Sequence, residues 1–298
     1  MRTWNGMLGT VLCLAGCTAS AALAQAAEKV PGAGGVNIAV YERGNPAGPP
    51  VVLIHGFLAN HLVWSRQFSD ALADSFRIIT YDLRGHGASD KPLDPASYSS
   101  SEAWAGDLAA VIRSKSLVRP VLVGWSYGGY IIADYLRMHG SDNVGGVAFV
   151  AAVTNAGTPE AMAVISAEVQ QLFPGLLSDD VLQSVTATRN FLPHLSAQPL
   201  DQDAREVTLA GAMMVPPHAR QGMWARQLNN DDVLAAIPVP TLVVHGKADA
   251  VVLPAAAEHI AATVPGAKLL LYDGVGHAVA LEAPERFNRD LMKFVRQR

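Results

Sequence analysis

Near the middle of the chain, Val121-Leu122-Val123-Gly124-Trp125-Ser126-Tyr127-Gly128-Gly129 sets a serine between two glycines, G-x-S-x-G, after an apolar packet and before an amphipathic stretch. Strand, tight turn and helix form the setting in which a serine hydroxyl is lifted out of the backbone for attack on a carbonyl. Such a turn strains the serine backbone and brings strand and helix together, so bulky side chains at 124 and 128 would clash. The hydroxyl also lies at the positive end of the following helix, where developing negative charge is favoured. Ser126 is therefore the candidate nucleophile rather than a capping serine.

A serine hydroxyl needs a base to take its proton. In sites of this kind the order along the chain is Ser, acid, His. His277, in the glycine-rich loop Asp273-Gly274-Val275-Gly276-His277-Ala278, is the candidate base. Asp249, in His245-Gly246-Lys247-Ala248-Asp249 just past an apolar packet, is the candidate orienting acid. A buried carboxylate there would hold the imidazole tautomer and favour the imidazolium that forms. Asp273 is the rival acid, placed after a different strand. The backbone N–H groups of Phe57 and Tyr127 are expected to form the oxyanion hole. His55 is read as bracing the loop that carries Phe57. In Tyr81-Asp82-Leu83-Arg84-Gly85-His86-Gly87-Ala88-Ser89, the residues Asp82, Arg84 and His86 are read as bracing a tight turn. Leu58, Trp64, Trp125, Met213 and Trp224 are candidate pocket residues, although Trp and Met at such positions also serve as ordinary core. No spacing suits a metal, and no G-x-G-x-x-G opens a first strand–helix–strand unit, so neither metal nor cofactor is expected.

The elements that must position these residues follow from periodicity. Apolar packets at Val51–Ile54, Ile78–Tyr81, Pro120–Val123, Gly146–Val150, Pro240–Val244 and Ala267–Leu271 suit strands of a parallel sheet covered on both faces. Val36–Tyr41 reads as an edge strand, with residues 28–36 as a tether. Trp64–Leu72, Ala103–Ile112 and Gly129–Met138 have helical spacing. Alternating strands and helices predict a doubly wound α/β fold whose site lies beyond the carboxyl ends of the strands, where the singled-out residues fall. From Thr154 to Ile237 the alternation stops. Helices are expected there at Glu160–Phe173 (stopped by Pro174-Gly175), Ser178–Thr186, Gln202–Met214 and Ala219–Leu228. The expected organisation is a core of residues 28–154 and 237–298 with a helical cap at 155–236.

Residues 1–27 are set aside as a leader. Arg2 precedes an apolar run, Met7–Ala15, too short to span a bilayer. Ala24-Gln25-Ala26 offers a cleavage site after Ala26, whereas Leu14-Ala15-Gly16-Cys17 resembles a lipobox in which Cys17 would carry a lipid anchor. Both imply export, to the periplasm or beyond. The only two cysteines, Cys13 and Cys17, lie in this leader, so cleavage after Ala26 leaves no disulfide or thiolate chemistry. The 298-residue chain is 50% hydrophobic and 16% charged, with a formal net charge of −4. That balance excludes a basic nucleic-acid face and fits a small neutral or weakly charged substrate. Oligomeric state is not legible.

From about residue 36 to 296 the sequence resembles the α/β-hydrolase family, and most resembles the group of cofactor-free haloperoxidases and related small serine esterases. The resemblance rests on His55-Gly56-Phe57, the run Tyr81–Ser89, Gly124-Trp125-Ser126-Tyr127-Gly128-Gly129, His245–Asp249, Gly276-His277 and Glu282-Ala283-Pro284-Glu285-Arg286-Phe287. It implies a mobile helical cap and hydrolysis of a carboxylic ester through an acyl-enzyme. Lactone or amide hydrolysis, carbon–carbon bond hydrolysis, perhydrolase side activity and a non-catalytic ligand-binding role are the alternatives. Perhydrolytic members usually carry proline after the oxyanion-loop aromatic; Leu58 stands there, which argues against peracid formation. Relatives acting on epoxides and haloalkanes use an aspartate nucleophile, which Ser126 argues against.

Overall fold

The computed structural model describes residues 27–68 and 71–298. The expected leader, with Cys13, Cys17 and the site at Ala26, lies outside them. Strands β1 (Glu28–Pro31), β2 (Asn37–Gly44), β3 (Pro50–Ile54), β4 (Arg77–Tyr81), β5 (Val121–Trp125), β6 (Gly146–Val150), β7 (Thr241–Gly246) and β8 (Lys268–Tyr272) form one sheet, ordered β1-β2-β4-β3-β5-β6-β7-β8. The β1–β2 and β2–β4 pairs are antiparallel and the rest parallel.

Alternation along the apolar strands divides the core between the two faces. Val52 and Ile54 join one buried cluster with Trp104, Leu108, Ile131 and Ile260. Val51 and Leu53 join the other with Leu72, Phe287 and Leu291. Helices Ser101–Ser114, Gly128–His139 and Ala255–Thr263 thus cover one face, and Ala71–Ser75 and Pro284–Arg296 the other. Each fully buried Val or Leu contributes roughly 1.5–3 kcal/mol of transfer free energy. Local signals set the helix ends: the Ser100 hydroxyl accepts from the Ala103 N–H, and Gly140, at φ +68°, ends Gly128–His139.

Two expectations at the sheet edge are corrected. Residues 28–31 are a strand rather than part of a tether, and they pair with β2. The strand at 37–44 is therefore interior, not an edge.

All helices and turns between β6 and β7 form an insertion that contains no strand of the sheet. The expected helix Glu160–Phe173 is broken into Pro159–Ala163 and Ala167–Gln170. Between them Ile165 bridges Val252, and the Ser166 N–H donates to the Val251 carbonyl at 3.0 Å, so the chain must leave helical geometry there. Pro174 stops no helix. It sits in the first turn of Phe173–Leu176, where its missing N–H costs nothing. Val181–Phe191, Gln202–Met213 and Pro217–Trp224 follow.

Two buried arginines hold the insertion. Arg220 donates to the carbonyls of Val215, Leu176 and Ala212 and to the Ser184 hydroxyl, and burial without a carboxylate lowers its pKa to about 10. Arg226 pairs with Asp134 of the helix Gly128–His139 at 2.6 Å, both side chains 1% exposed. It also donates to the Tyr127 hydroxyl at 3.2 Å.

Candidate functional site

Strand register brings the loop after β3 and the turn after β5 to one level. Ile54 pairs with Gly124, and Trp125 with Val150. Beyond that level Ser126 sits at φ +55°, in the left-handed region that a non-glycine residue enters at a cost of about 1–3 kcal/mol. Its N–H donates to the Val150 carbonyl at 3.0 Å, and its own carbonyl accepts from Gly129 at 3.0 Å and Val153 at 3.2 Å. These three bonds hold the strain. The flanking glycine is explained by contact: a Cβ on Gly124 would lie 2.6 Å from the Gly128 carbonyl oxygen. On the other side, a Cβ on Gly56 would lie 3.3 Å from Ser126 Oγ, so the backbone of the loop after β3 passes directly against the serine.

His277 and Asp249 come together as expected. His277 Nδ1 lies 2.8 Å from Asp249 Oδ2, with side-chain exposures of 2% and 0%. The carboxylate accepts, so Nδ1 carries the proton and Nε2 is left as acceptor. Asp249 is itself pinned, its Oδ1 accepting from the N–H groups of Val251 at 2.8 Å and Val252 at 2.9 Å. Burial pushes its pKa up, but His277 and His245 outweigh that and bring it down to about 2. Trp125 donates Nε1 to the His277 carbonyl at 2.8 Å, with the two rings 5.1 Å apart, which ties the imidazole to the residue before Ser126. Glu282 accepts from Gly276 at 3.1 Å and Ala197 at 2.7 Å, and Ala278 donates to the Leu195 carbonyl at 2.8 Å. The loop carrying His277 is thus held by its own trailing helix and by the insertion.

The rival acid is elsewhere. Asp273 is 82% exposed and pairs with Lys247 at 2.7 Å.

Tyr127 follows Ser126 in the chain, and Phe57 lines the same cavity as both. Among the described residues neither the Phe57 N–H nor the Tyr127 N–H donates to another protein acceptor. His55 Nδ1 donates to the Gly56 carbonyl at 2.8 Å, and its Nε2 accepts from the Leu83 N–H at 2.9 Å. Complete burial lowers its pKa to about 4, so it stays neutral while bracing the loop. Asp82 accepts from the N–H groups of His61 and Ala88, Arg84 pairs with Asp107 at 2.7 Å, and His86 donates to the Arg84 carbonyl. This turn is scaffold.

Two cavities adjoin across Phe57 and Phe191, and the smaller reaches the serine. One of about 90 Å³ is lined by Ser126, Tyr127, Tyr130, Trp224 and other apolar side chains. The other, about 480 Å³, is lined by Leu58, Trp125, Leu192, Ala278 and neighbours. Phe57 and Phe191 wall both. Of the five candidate pocket residues, Leu58, Trp125 and Trp224 line these spaces. Trp64 is 1% exposed and stacks on Phe287 in the core, while Met213 packs its sulfur 3.8 Å from Thr188 Oγ1 and Arg220. Sequence reasoning missed two contributors. His245 Nε2 lies 3.1 Å from Asp249 Oδ2, a contact its four-residue spacing from Asp249 could have suggested. Phe191 ends a helix whose place in the fold no local pattern reveals. Among the described residues no cluster suits a metal ion.

Comparison with known proteins agrees with this architecture. Residues 49–284 match the family model described as the alpha/beta hydrolase fold. The chain is 29% identical over 276 residues to a non-heme chloroperoxidase of Streptomyces lividans, covering 88% of this chain and 97% of that one. It is 28% identical over 277 residues to a bifunctional esterase/perhydrolase of Acinetobacter calcoaceticus, with the same coverage. An esterase structure from Rhodococcus sp. ECU1013 superposes with a TM-score of 0.85 at 32% identity, covering 91% of this chain and 98% of that one. The chain belongs to the α/β-hydrolase fold family. Within it, the protein is an enzyme related to the non-heme haloperoxidases and small esterases.

Proposed function

We propose that the protein hydrolyses carboxylic esters through an acyl-enzyme on Ser126. The observation that carries this reading is the buried His277–Asp249 pair, 2.8 Å apart, held through Trp125 beside a serine in a strained turn. His277 Nε2 takes the hydroxyl proton as Ser126 Oγ attacks the ester carbonyl carbon. The oxyanion accepts from the Phe57 and Tyr127 N–H groups, and the start of the helix Gly128–His139 adds its favourable field. As the carbon–oxygen ester bond breaks, His277 returns the proton to the departing alcohol. Water, deprotonated by His277, then attacks the acyl-enzyme and releases the acid. Asp249 orients the imidazole and stabilises its cationic form throughout. Replacing Ser126 with Ala is expected to lower kcat on p-nitrophenyl acetate by at least about a thousandfold and to abolish labelling by a fluorophosphonate. Parental turnover by Ser126→Ala would refute the assignment.

The helical insertion is read as the cap that walls the substrate space. Export is inferred from the leader: the apolar run Met7–Ala15, the site Ala24-Gln25-Ala26, and the confinement of both cysteines to it. The described residues contain no helix long and apolar enough to cross a membrane. Mass spectrometry of the protein from its native host separates the routes: an N-terminus at Ala27 marks cleavage, and a lipidated Cys17 marks an anchor. An unprocessed Met1 refutes export by either route.

A further inference from the structure

We infer that His245 is a positioning residue for the His277–Asp249 pair: its Nε2–H lies against the Asp249 oxygen that accepts from His277, and so limits how strongly that carboxylate holds the imidazolium. This deepens the esterase reading above and rests on it. A tight reversal of the chain brings the residues together. β7 ends at Gly246, where a Cβ would lie 2.2 Å from the carbonyl oxygens of Val275 and Gly276, so the strand end is pressed against the loop carrying His277. The Asp249 N–H then donates to the Gly246 carbonyl at 3.2 Å and turns the chain back over His245.

His245 is fully buried. Its Nε2 faces two oxygens, the Val252 carbonyl at 2.9 Å and Asp249 Oδ2 at 3.1 Å. Its Nδ1 is buried with no hydrogen-bond partner among the described residues. A neutral ring with its proton on Nδ1 would bury an unmet donor and set a bare nitrogen against two acceptors, so the proton sits on Nε2. That one N–H has two effects. It ties down the Val252 carbonyl, and the Val252 N–H donates in turn to Asp249 Oδ1 at 2.9 Å, which closes the turn around the carboxylate. It also lies beside Oδ2, the same atom that stands 2.8 Å from His277 Nδ1. An oxygen that shares its charge with a second donor attracts the first less strongly. The His277 imidazolium is therefore less stabilised than it would be opposite a bare carboxylate, and the base stays neutral, able to accept the Ser126 proton, down to lower pH. The other ionisable groups nearby act from further out. Glu282 bonds the Gly276 N–H behind His277, Asp273 and Lys247 pair with each other at the surface, and the 250–253 turn carries no ionisable side chain.

The test is the acid limb of kcat/KM for p-nitrophenyl acetate, a neutral ester, so the limb belongs to the free enzyme. His245→Phe removes the donor and keeps a flat ring. The limb is expected to rise by about 0.5–1 pH unit, the scale of one modest hydrogen bond. His245→Gln, whose amide N–H can reach the place of Nε2, should bring the limb back toward its parental position. A limb that stays or falls in folded His245→Phe would overturn the inference, because loosened packing alone lowers the rate without raising the limb. A rise that folded His245→Gln leaves in full would overturn it as well. If His245→Phe does not fold, the parent protein decides the matter. Nitrogen NMR of isotope-labelled histidine rings is expected to show His245 protonated on Nε2 alone, and a proton on Nδ1 instead would refute the arrangement. Fluorophosphonate labelling separates the two levels of failure. A parent that labels at Ser126 while the limb of the variant is unmoved refutes the role of His245 alone, whereas a parent that does not label refutes the esterase reading beneath it.

Discussion

Replacing Asp249 with Asn tests the site most stringently, because the surrounding bonds dictate how the amide must sit. Asp249 Oδ1 accepts two backbone N–H groups, from Val251 and Val252. An asparagine will keep its carbonyl oxygen there, since the flipped amide would set its own NH₂ against both donors. Its nitrogen then occupies the Oδ2 position, 2.8 Å from His277 Nδ1, and donates to it. The imidazole proton is forced onto Nε2, the atom that must receive the Ser126 proton. By analogy with the serine-protease triad, a wrong tautomer of this kind lowers kcat by about 10⁴-fold, roughly 5.5 kcal/mol of barrier. Asp249 also stabilises the fold. Its pKa is about 2 in the native state against 3.8 for an ordinary Asp. That shift is worth about 2 kcal/mol, fully present above the unfolded-state pKa and lost as pH falls toward 2. The assay pairs ester turnover at pH 7–8 with urea unfolding at pH 7 and pH 3. Asp249→Asn should lose its activity while keeping its fold, and lose part of the acid-dependent change in stability between these pH values. Retention of kcat within tenfold of the parent would refute the proposed tautomer control and the choice of acid.

Three further outcomes are expected. Leu58→Pro should lower the thermal midpoint more than Leu58→Ala does, because φ at residue 58 is +59° and a proline ring holds φ near −65°; equal midpoints would show that the loop relaxes freely. Breaking the buried Arg226–Asp134 pair by Arg226→Met should cost about 3–5 kcal/mol in urea unfolding, and adding Asp134→Leu should recover much of it; a loss below 1 kcal/mol would refute a desolvated pair. Acid stability should decline well before carboxylates titrate: His55 and His86 have native pKa values of about 4 and 3 through burial, so the unfolded chain binds more protons below pH 6.5 and stability falls as pH drops from there. Each contributes a slope of up to about 1.4 kcal/mol per pH unit, and a flat unfolding free energy between pH 6.5 and 4.5 would contradict it.

Much of the fold is legible in the sequence. Continuous apolar packets announced β3 to β8 because strands covered on both faces need no polar alternation, and the chemistry-bearing residues clustered at their ends. Ser126, His277 and Asp249 could be matched because each follows its own strand. The failures had local causes. Four residues ending in Pro31 carry too little pattern to reveal β1, and without it β2 reads as an edge. The helix expected at Glu160–Phe173 breaks where Ile165 and Ser166 turn to bond the loop after Asp249, a tertiary demand that helical spacing cannot encode. Trp64 and Trp125 look alike as aromatic residues near the site. Only packing sends the first to Phe287 and the second to His277.

The bonds at the base of the insertion set rules for recombining this protein with its relatives. Ala156 and Leu228 exchange two backbone hydrogen bonds of 2.9 Å, a narrow neck through which the intervening segment enters and leaves. Those positions look like natural splice points for a chimera. They are not sufficient, because the segment clasps the scaffold again further in. Leu253 donates to the Val164 carbonyl at 2.7 Å, Ser166 donates to Val251, and the Ser166 hydroxyl donates to the Ala250 carbonyl. A donor cassette that widens substrate range must therefore travel with a compatible 250–253 turn, or the graft will loosen the carboxylate beneath it and trade catalytic rate for breadth.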